Sequence, residues 1–109
     1  MEITIFENTN DKVQTTITAL LEYNRFILSG LDTYFPSKEV PEGSEYEYET
    51  VLDIENTQKL MELIAPESTT EEFLNRFAEK FHGANADIQF QSFCLEHEIE
   101  TYSQSFFDD

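Results

Sequence analysis

The sequence predicts an α+β domain in which an antiparallel sheet is covered on one face by helices. Two observations lead to this class. The first half of the chain is rich in β-branched and aromatic residues that alternate with polar ones, and the second half repeats Phe and Leu at helical spacing. The predicted element order is roughly ββββαααβ, and all 109 residues are expected to form a single domain, 1–109.

The first strands are predicted from short β-prone runs that are bounded by turn formers. One run covers residues 3–6, and Asn, Thr and Asp residues over 8–11 follow it. A hairpin comes next, with arms over residues 13–21 and 26–28 and a turn over residues 22–25. Three antiparallel strands therefore open the chain.

Two pairs of residues affect the assignment of this hairpin. The adjacent Leu20 and Leu21 leave a helix as an alternative for its first arm. Its second arm is expected to end at Ser29-Gly30, because both residues favour turns. A loop before the next strand is then predicted from Pro36, Pro41 and Gly43.

The segment 45–49 alternates between carboxylate and aromatic ring, as Glu-Tyr-Glu-Tyr-Glu. Successive side chains of a strand point to opposite faces, so Tyr46 and Tyr48 share one face with Leu52. The other face carries what we call the acidic ladder, Glu45, Glu47 and Glu49. Its carboxylates are about 6 to 7 Å apart along the strand. Because burying three unpaired carboxylates is prohibitively costly, the ladder is expected on the solvated face.

Two helices are predicted after this strand from their capping signals. Asp53 can cap a helix with an apolar stripe over residues 57–64 that ends before Pro66. A second helix begins at the capping box Thr69-Thr70-Glu71-Glu72, in which the first and last side chains satisfy each other's backbone donors, and Gly83 suits its C-terminal cap. Its stripe consists of Phe73, Leu74, Phe77 and Phe81.

A third helix is predicted to start at Ala84 or Asn85. One of its stripes holds Phe90, Phe93, Cys94 and His97, and a second holds Ile88 and Leu95. Burial over a wide arc is therefore expected for this helix. The tail over residues 99–107 returns to β character and is expected to pair with the sheet.

The charge of the chain restricts the classes of partner. Twenty-three acids against six bases give a formal net charge of −17, far beyond the magnitude of about 2 to 8 that suits a small domain. Such a surface disfavours nucleic acid and anionic membranes and attracts cationic proteins. Solubility, or a habitat of high salt, explains the same charge without any partner.

Acids are densest between residues 39 and 55, where seven of them occur without a base. Tyrosine rings and carboxylates are favourable interface groups, because carboxylates pair with arginine in two parallel hydrogen bonds. A solvated strand face with core tyrosines behind it is the equally weighted alternative. The residues predicted to bind a basic protein partner are Glu39, Glu42, Glu45, Glu47, Glu49 and Asp53.

The sequence contains no recognisable catalytic or cofactor motif, so an enzyme is not expected. Cys94 and His97 can share one side of a helix, but the surrounding Glu96, Glu98 and Glu100 raise a thiol pKa rather than lower it. Both are predicted to be structural, as is His82, and no metal or cofactor site is predicted. A loose cation site is a minor alternative that would use Glu42, Glu45, Glu47 and Asp53.

Cys94 is the only cysteine, so no intramolecular disulfide can form. The N-terminus lacks a basic region followed by a long apolar stretch, and no apolar run approaches the roughly 20 residues that cross a bilayer. The expected location is therefore the cytoplasm, with no membrane association.

The chain resembles the small acidic immunity proteins of bacterial toxin systems. The resemblance rests on size, charge and the succession of Ser29-Gly30-Leu31-Asp32, the alternating segment 45–49, and the helix containing Leu60-Met61-Glu62-Leu63-Ile64. It implies an antitoxin-like inhibitor that binds a cognate toxin and blocks its active site. A basic toxin, such as a nuclease, would fit the charge.

Two other functions remain open at this point. One is a nucleic-acid mimic that inhibits a restriction or CRISPR enzyme. The acidic ladder supplies one charge per roughly 6.6 Å, whereas a DNA strand carries one per about 3.4 Å, so mimicry needs further acids from neighbouring elements. The other is a small enzyme or ligand-binding domain.

Overall fold

The computed structural model describes residues 1–36 and 43–108, and its element order is the predicted ββββαααβ. Five strands form one antiparallel sheet in the order β1-β2-β3-β4-β5, and the helices of the described residues pack on one face of it. The predicted α+β class is confirmed. The elements are β1 (Glu2–Thr9), β2 (Val13–Glu22), β3 (Arg25–Tyr34), β4 (Glu45–Val51), α1 (Ile54–Ile64), α2 (Thr70–Lys80), α3 (Ala86–Glu96) and β5 (Tyr102–Asp108).

A two-residue turn joins β2 to β3, as the sequence predicts, and a helix over Leu20-Leu21 is excluded. Glu22 pairs with Arg25, and the two residues between them both have positive φ, 53° for Tyr23 and 61° for Asn24. Positive φ at both central positions defines a type I′ turn, whose twist matches that of the flanking strands.

Strand β3 continues beyond its predicted end at Ser29-Gly30 and reaches Tyr34. Gly30 pairs with Tyr48 of β4, and a Cβ atom at Gly30 would overlap the Tyr48 ring. The glycine is therefore required by the close approach of a cross-strand ring rather than by a turn. Strand β1 is also longer than the predicted run over residues 3–6.

The core is built around Phe26 of β3, which is fully buried. Its ring centroid lies 5.8 Å from that of Phe73, 4.7 Å from Phe77 and 5.3 Å from Phe90. The backbone N–H of Phe26 also donates to the Thr57 hydroxyl at 3.0 Å, which ties β3 to α1. The helical phenylalanines are therefore core residues, as predicted. The remaining buried residues of the sheet include Ile17, Ala19, Leu21 and Leu28.

The helix boundaries follow the capping signals. Asp53 is the N-cap of α1 and Thr69 that of α2, where the Thr69 hydroxyl accepts from the Glu72 N–H at 3.2 Å. The Glu72 carboxylate accepts from the Thr69 hydroxyl at 3.1 Å, so its contact runs between side chains and differs from the predicted bond to the backbone. Asn85 precedes α3.

The expected wide burial of α3 is wrong. Only Ala86, Phe90 and Cys94 are buried, whereas Ile88 is 66% and Leu95 is 83% exposed. The reason is that α3 packs against the core through the stripe that holds Phe90 and Cys94, and no described element covers the stripe of Ile88 and Leu95.

The described residues form an elongated molecule. Its principal extents are 51 × 25 × 22 Å and its radius of gyration is 15.0 Å, against about 13 Å for a compact domain of this length. The helices pack mainly on β1, β2 and β3. One end of the sheet, which holds Tyr34 and Tyr46, extends past the helices, and we call it the free end. Both residues are only half-buried.

The type I′ turn is expected to accept a better turn sequence. Replacing Tyr23-Asn24 by Asn-Gly should raise the free energy of unfolding by about 1 kcal/mol, because tyrosine adopts positive φ at a cost and Tyr23, at 90% exposure, contributes no packing. Denaturant unfolding checks this value. A Tyr23→Val control should be destabilised, and equal stability of the two variants would contradict the turn assignment.

Candidate functional site: the acidic face of the sheet

The acidic ladder lies on the face of the sheet opposite the helices, which we call the open face. The pairing register establishes this, since Glu49 pairs with Ser29, Glu47 with Leu31 and Glu45 with Thr33, while the intervening Tyr48 and Thr50 pair with Gly30 and the buried Leu28. Glu45 and Glu47 are exposed and Glu49 is half-buried. The prediction of an outward-facing ladder on a strand is confirmed.

The ladder borders a shallow groove of about 360 Å³ on the open face. Strands β2 and β3 contribute hydroxyl groups to it, and β5 contributes a phenyl ring that is 55% exposed. The groove thus combines hydrogen-bond donors, two carboxylates of the ladder and an apolar surface. Its walls include Thr16, Thr18, Ser29, Glu47, Glu49 and Phe106.

The ladder has no cationic neighbour among residues 1–36 and 43–108. The ion pair found in that part of the chain joins the Met1 amino group to Glu22 at 3.8 Å. The Glu49 carboxylate instead accepts a hydrogen bond from the side-chain amide of Gln104 on β5. Within the described part of the chain, the carboxylates of one strand therefore have no compensating positive charge, which is an unfavourable arrangement for an isolated protein.

The tyrosines of β4 lie on the helix side of the sheet but outside the core. Tyr46 and Tyr48 are half-buried, and their ring centroids are 5.7 Å apart. Burial, with smaller contributions from the negative charges of Asp32 and Asp87, raises the pKa of Tyr48 to about 12. The expectation that these rings meet the helices is only partly met, since the helices end before the free end of the sheet.

A polar cleft of about 370 Å³ lies next to Tyr48, between α3 and the β4–β5 pair. The Thr50 hydroxyl, on a residue only 1% exposed, lies 3.4 Å from an Asp87 carboxylate oxygen and 3.4 Å from the Gln91 side-chain nitrogen. Gln91 also donates to Asp87 at 3.1 Å. These groups satisfy one another and fasten α3 to the sheet, so the cleft is a structural junction.

Asp53 lies past the end of β4, apart from the ladder. Its carboxylate accepts from the Asn56 backbone N–H at 2.8 Å and from the Asn56 side-chain nitrogen at 3.0 Å. These two hydrogen bonds lower the pKa of Asp53 below its ordinary value. Of the six predicted partner-binding residues, the structure thus brings together the three of the ladder, while Glu39 and Glu42 lie outside the described residues.

The pair Cys94 and His97 forms no reactive centre. Cys94 is 1% exposed, and burial raises the pKa of its thiol to about 12. The direction matches the sequence analysis but the cause differs, since burial, rather than the exposed glutamates that follow Cys94, accounts for the shift. His97 is exposed, and its ring lies 4.3 Å from that of Phe93.

Residues 1–36 and 43–108 offer neither a group of metal ligands nor a helix that could span a membrane. No group of three or more His, Cys, Asp and Glu side chains there has an arrangement that could hold a metal ion. None of the helices in this part of the chain combines the length and the apolar content needed to cross a membrane.

The groups that flank the ladder were not predicted from the sequence. The hydroxyl-bearing Thr16, Thr18 and Ser29 follow from the register that a turn at residues 22–25 imposes, because Thr18 then faces Ser29 across the hairpin. That signal was available in the sequence. Gln104 and Phe106 come from β5, whose pairing with β4 no local pattern specifies.

No protein-family model, no curated protein and no solved structure matches this chain.

Asp53 is expected to make the stability of α1 depend on acid pH. Its folded-state pKa lies below the ordinary value of 3.8, so its contribution is complete above that pH and is lost as the pH falls through the folded-state pKa. Asparagine caps helices equally well without titrating. The stability difference between the wild type and Asp53→Asn should therefore shrink with acidification, as followed by denaturant unfolding.

The matched control for this titration is Cys94→Ala, which alters no group that titrates in acid. Its stability difference from the wild type should stay constant over the same range. A constant difference for Asp53→Asn as well would show that the Asp53 charge does not contribute to the cap.

Cys94 is expected to be inert in the folded protein. Near neutral pH a thiol reagent should modify it only at the rate at which the core opens, because the group is buried and its pKa is raised. Cys94→Ala should lower the free energy of unfolding by about 1 to 2 kcal/mol and leave partner binding unchanged. Fast labelling under native conditions, or lost binding by a folded variant, would contradict the structural role.

Proposed function

We propose that this protein is an acidic inhibitor that binds a basic protein partner through the open face of its sheet. Within that class, we propose an immunity protein that neutralises a basic toxin, such as a nuclease, by occluding its active site. The observation that carries the proposal is the outward-facing acidic ladder, whose carboxylates have no positive neighbour in the described part of the chain. A cationic surface would supply the missing charge.

The chemistry of the open face suits an arginine-rich surface. Carboxylates bind guanidinium groups through paired, charge-assisted hydrogen bonds. The hydroxyls of Thr16, Thr18 and Ser29 can accept further hydrogen bonds from the same groups. Phe106, at 55% exposure, and Tyr102, at 65%, offer ring area that releases water when covered.

The net charge supports the same class of partner through the rate of association. With a formal charge of −17, the protein attracts a cationic partner over distances of about 8 to 10 Å at physiological salt, and over longer ones at low salt. Steering of this kind raises association rates. An inhibitor that has to reach an active enzyme before that enzyme acts benefits from a fast encounter.

The arrangement of acids favours a protein partner over nucleic-acid mimicry. On the open face, the residues that pair with Glu47 and Glu49 are neutral: Leu31 and Ser29 on β3, and Phe106 and Gln104 on β5. The register adds one acid beside the ladder, since Asp108 of β5 pairs with Glu45. The acids of β1 on this face, Glu2 and Glu7, are three strands from β4, or about 14 Å. A single short line of carboxylates does not reproduce the two dense phosphate strands of a duplex.

The test uses the product of the reading frame directly upstream of the gene, when that product ends in a basic domain. Changing Glu45, Glu47 and Glu49 together to Gln keeps shape and strand character while removing three charges. Affinity for the basic domain should fall roughly three- to hundredfold, as expected for three exposed ion pairs. Fold stability should be unchanged or higher, because self-repulsion is relieved.

A matched variant separates local contact from net charge. Glu62, Glu79 and Glu96 are exposed on the three helices, and their joint replacement by Gln removes the same charge from another surface. This control should slow association slightly and spare the dissociation rate. If both triple variants bound the domain with equal affinity and salt dependence, the ladder would be a solubility feature and the proposed surface would be wrong.

A further inference from the structure

Strand β5 forms an edge of the sheet in the part of the chain that the structure describes. It pairs with β4 on one side, and no described strand lies on its other side. The backbone N–H and C=O groups on the outer side of an edge strand lack strand partners, and they can pair with a further strand.

The hydrogen-bonding pattern of β4 identifies the outward-pointing groups of β5. Leu52 N donates to Phe26 O and Tyr34 N donates to Ser44 O, both at 2.9 Å, so the even-numbered residues of β4 bond to β3. Bonding alternates along an antiparallel strand, and the odd-numbered residues Glu45–Val51 therefore bond to β5. Their partners in β5 are the even-numbered residues. Three residues remain with N–H and C=O groups that point away from the sheet, Ser103, Ser105 and Phe107.

The two edges of the sheet differ in protection. Strand β1 is interrupted by a bulge between Thr4 and Phe6 and contacts α2, and both features hinder pairing with another chain. The register of β5 with β4 is unbroken from Tyr102 to Asp108, and the strand contains no Lys, Arg or Pro. Its aromatic side chains are largely exposed, at 65% for Tyr102 and 61% for Phe107. Strand β5 is therefore the accessible edge.

We infer that β5 receives an extended basic segment of the partner as a sixth strand of the sheet. This inference rests on the proposed function and specifies how the partner binds. Strands are about 4.8 Å apart, so side chains of the added strand on the open face lie about 10 Å from the acidic ladder. A lysine or arginine side chain on the added strand and a glutamate side chain of the ladder together span that distance, over Gln104 and Phe106 of the intervening β5.

Charge also determines which occupant fits. Antiparallel pairing of β5 with β5 of a second copy would place two acidic ladders three strand spacings apart, about 14 Å. It would also join two chains that each carry −17. Repulsion therefore opposes a second copy, whereas a basic segment in which every second residue is cationic neutralises the ladder.

The test measures binding of a synthetic peptide of about eight residues that alternates threonine and lysine. Ser105→Pro removes one outward N–H, and Ser105→Val keeps it while also replacing the hydroxyl. Affinity for the peptide should fall roughly two- to tenfold in the proline variant relative to the valine variant. A peptide that alternates proline and lysine has the same charge without the donors of a strand, and it should bind the wild type more weakly.

Amide hydrogen exchange on the unmodified protein gives a second measurement that needs no variant to fold. The threonine–lysine peptide should slow exchange at Ser103, Ser105 and Phe107 and leave the even-numbered amides of β5 little changed. Equal binding of both peptides, or unchanged exchange at those three amides on binding, would overturn the inference. Protection that grows with protein concentration alone would also overturn it, in favour of a second copy.

The failures of the two proposals are distinguishable. If the basic upstream-encoded domain binds and depends on the ladder but neither Ser105→Pro nor exchange on β5 responds, the partner uses the open face without adding a strand. If the variant with Gln at all three ladder positions binds that domain with wild-type affinity, the proposed function is wrong, whatever the result for β5.

Discussion

The packing of Phe26 holds the two layers of this fold together. Its ring meets α2 through Phe73 and Phe77 and α3 through Phe90. Its backbone N–H bonds to Thr57 of α1, and its C=O accepts from Leu52 at the end of β4. One residue of the central strand thus orients all three helices relative to the sheet. Aromatic pairs of this kind contribute about 0.5 to 1.5 kcal/mol each beyond their buried area, and they oppose the mutual repulsion of a strongly acidic surface.

Local patterns predicted the elements that depend on local chemistry. The alternation over residues 45–49 predicted β4 and its outward carboxylates, and the caps at Asp53 and Thr69 located two helices. The end of β3 was missed because Ser29-Gly30 has turn propensity, and only the ring of Tyr48 on the neighbouring strand explains a glycine there. The burial of α3 was overestimated because both of its stripes are apolar, and tertiary packing alone selects one of them.

The candidate site shows the same division between local and long-range information. The three ladder residues share one strand, so their common face follows from the two-residue period. Asp53 continues the acidic run in sequence, yet it caps α1 through Asn56. The proximity of Gln104 and Phe106 to the ladder depends on β5 returning beside β4 after three intervening helices. Contacts across that separation leave no periodic trace in a single sequence.

The extension of the sheet past the helices has a consequence for how the molecule responds to ions. At the free end both faces are accessible to water, so opening of the backbone there uncovers less apolar surface than opening near Phe26. Glu45 and Glu47 lie at this end and repel each other along β4. Dissolved salt screens that repulsion while hardly affecting the aromatic core. The two ends of one sheet therefore differ in their sensitivity to ionic strength, and the fold has a region whose local order depends on the surrounding electrolyte.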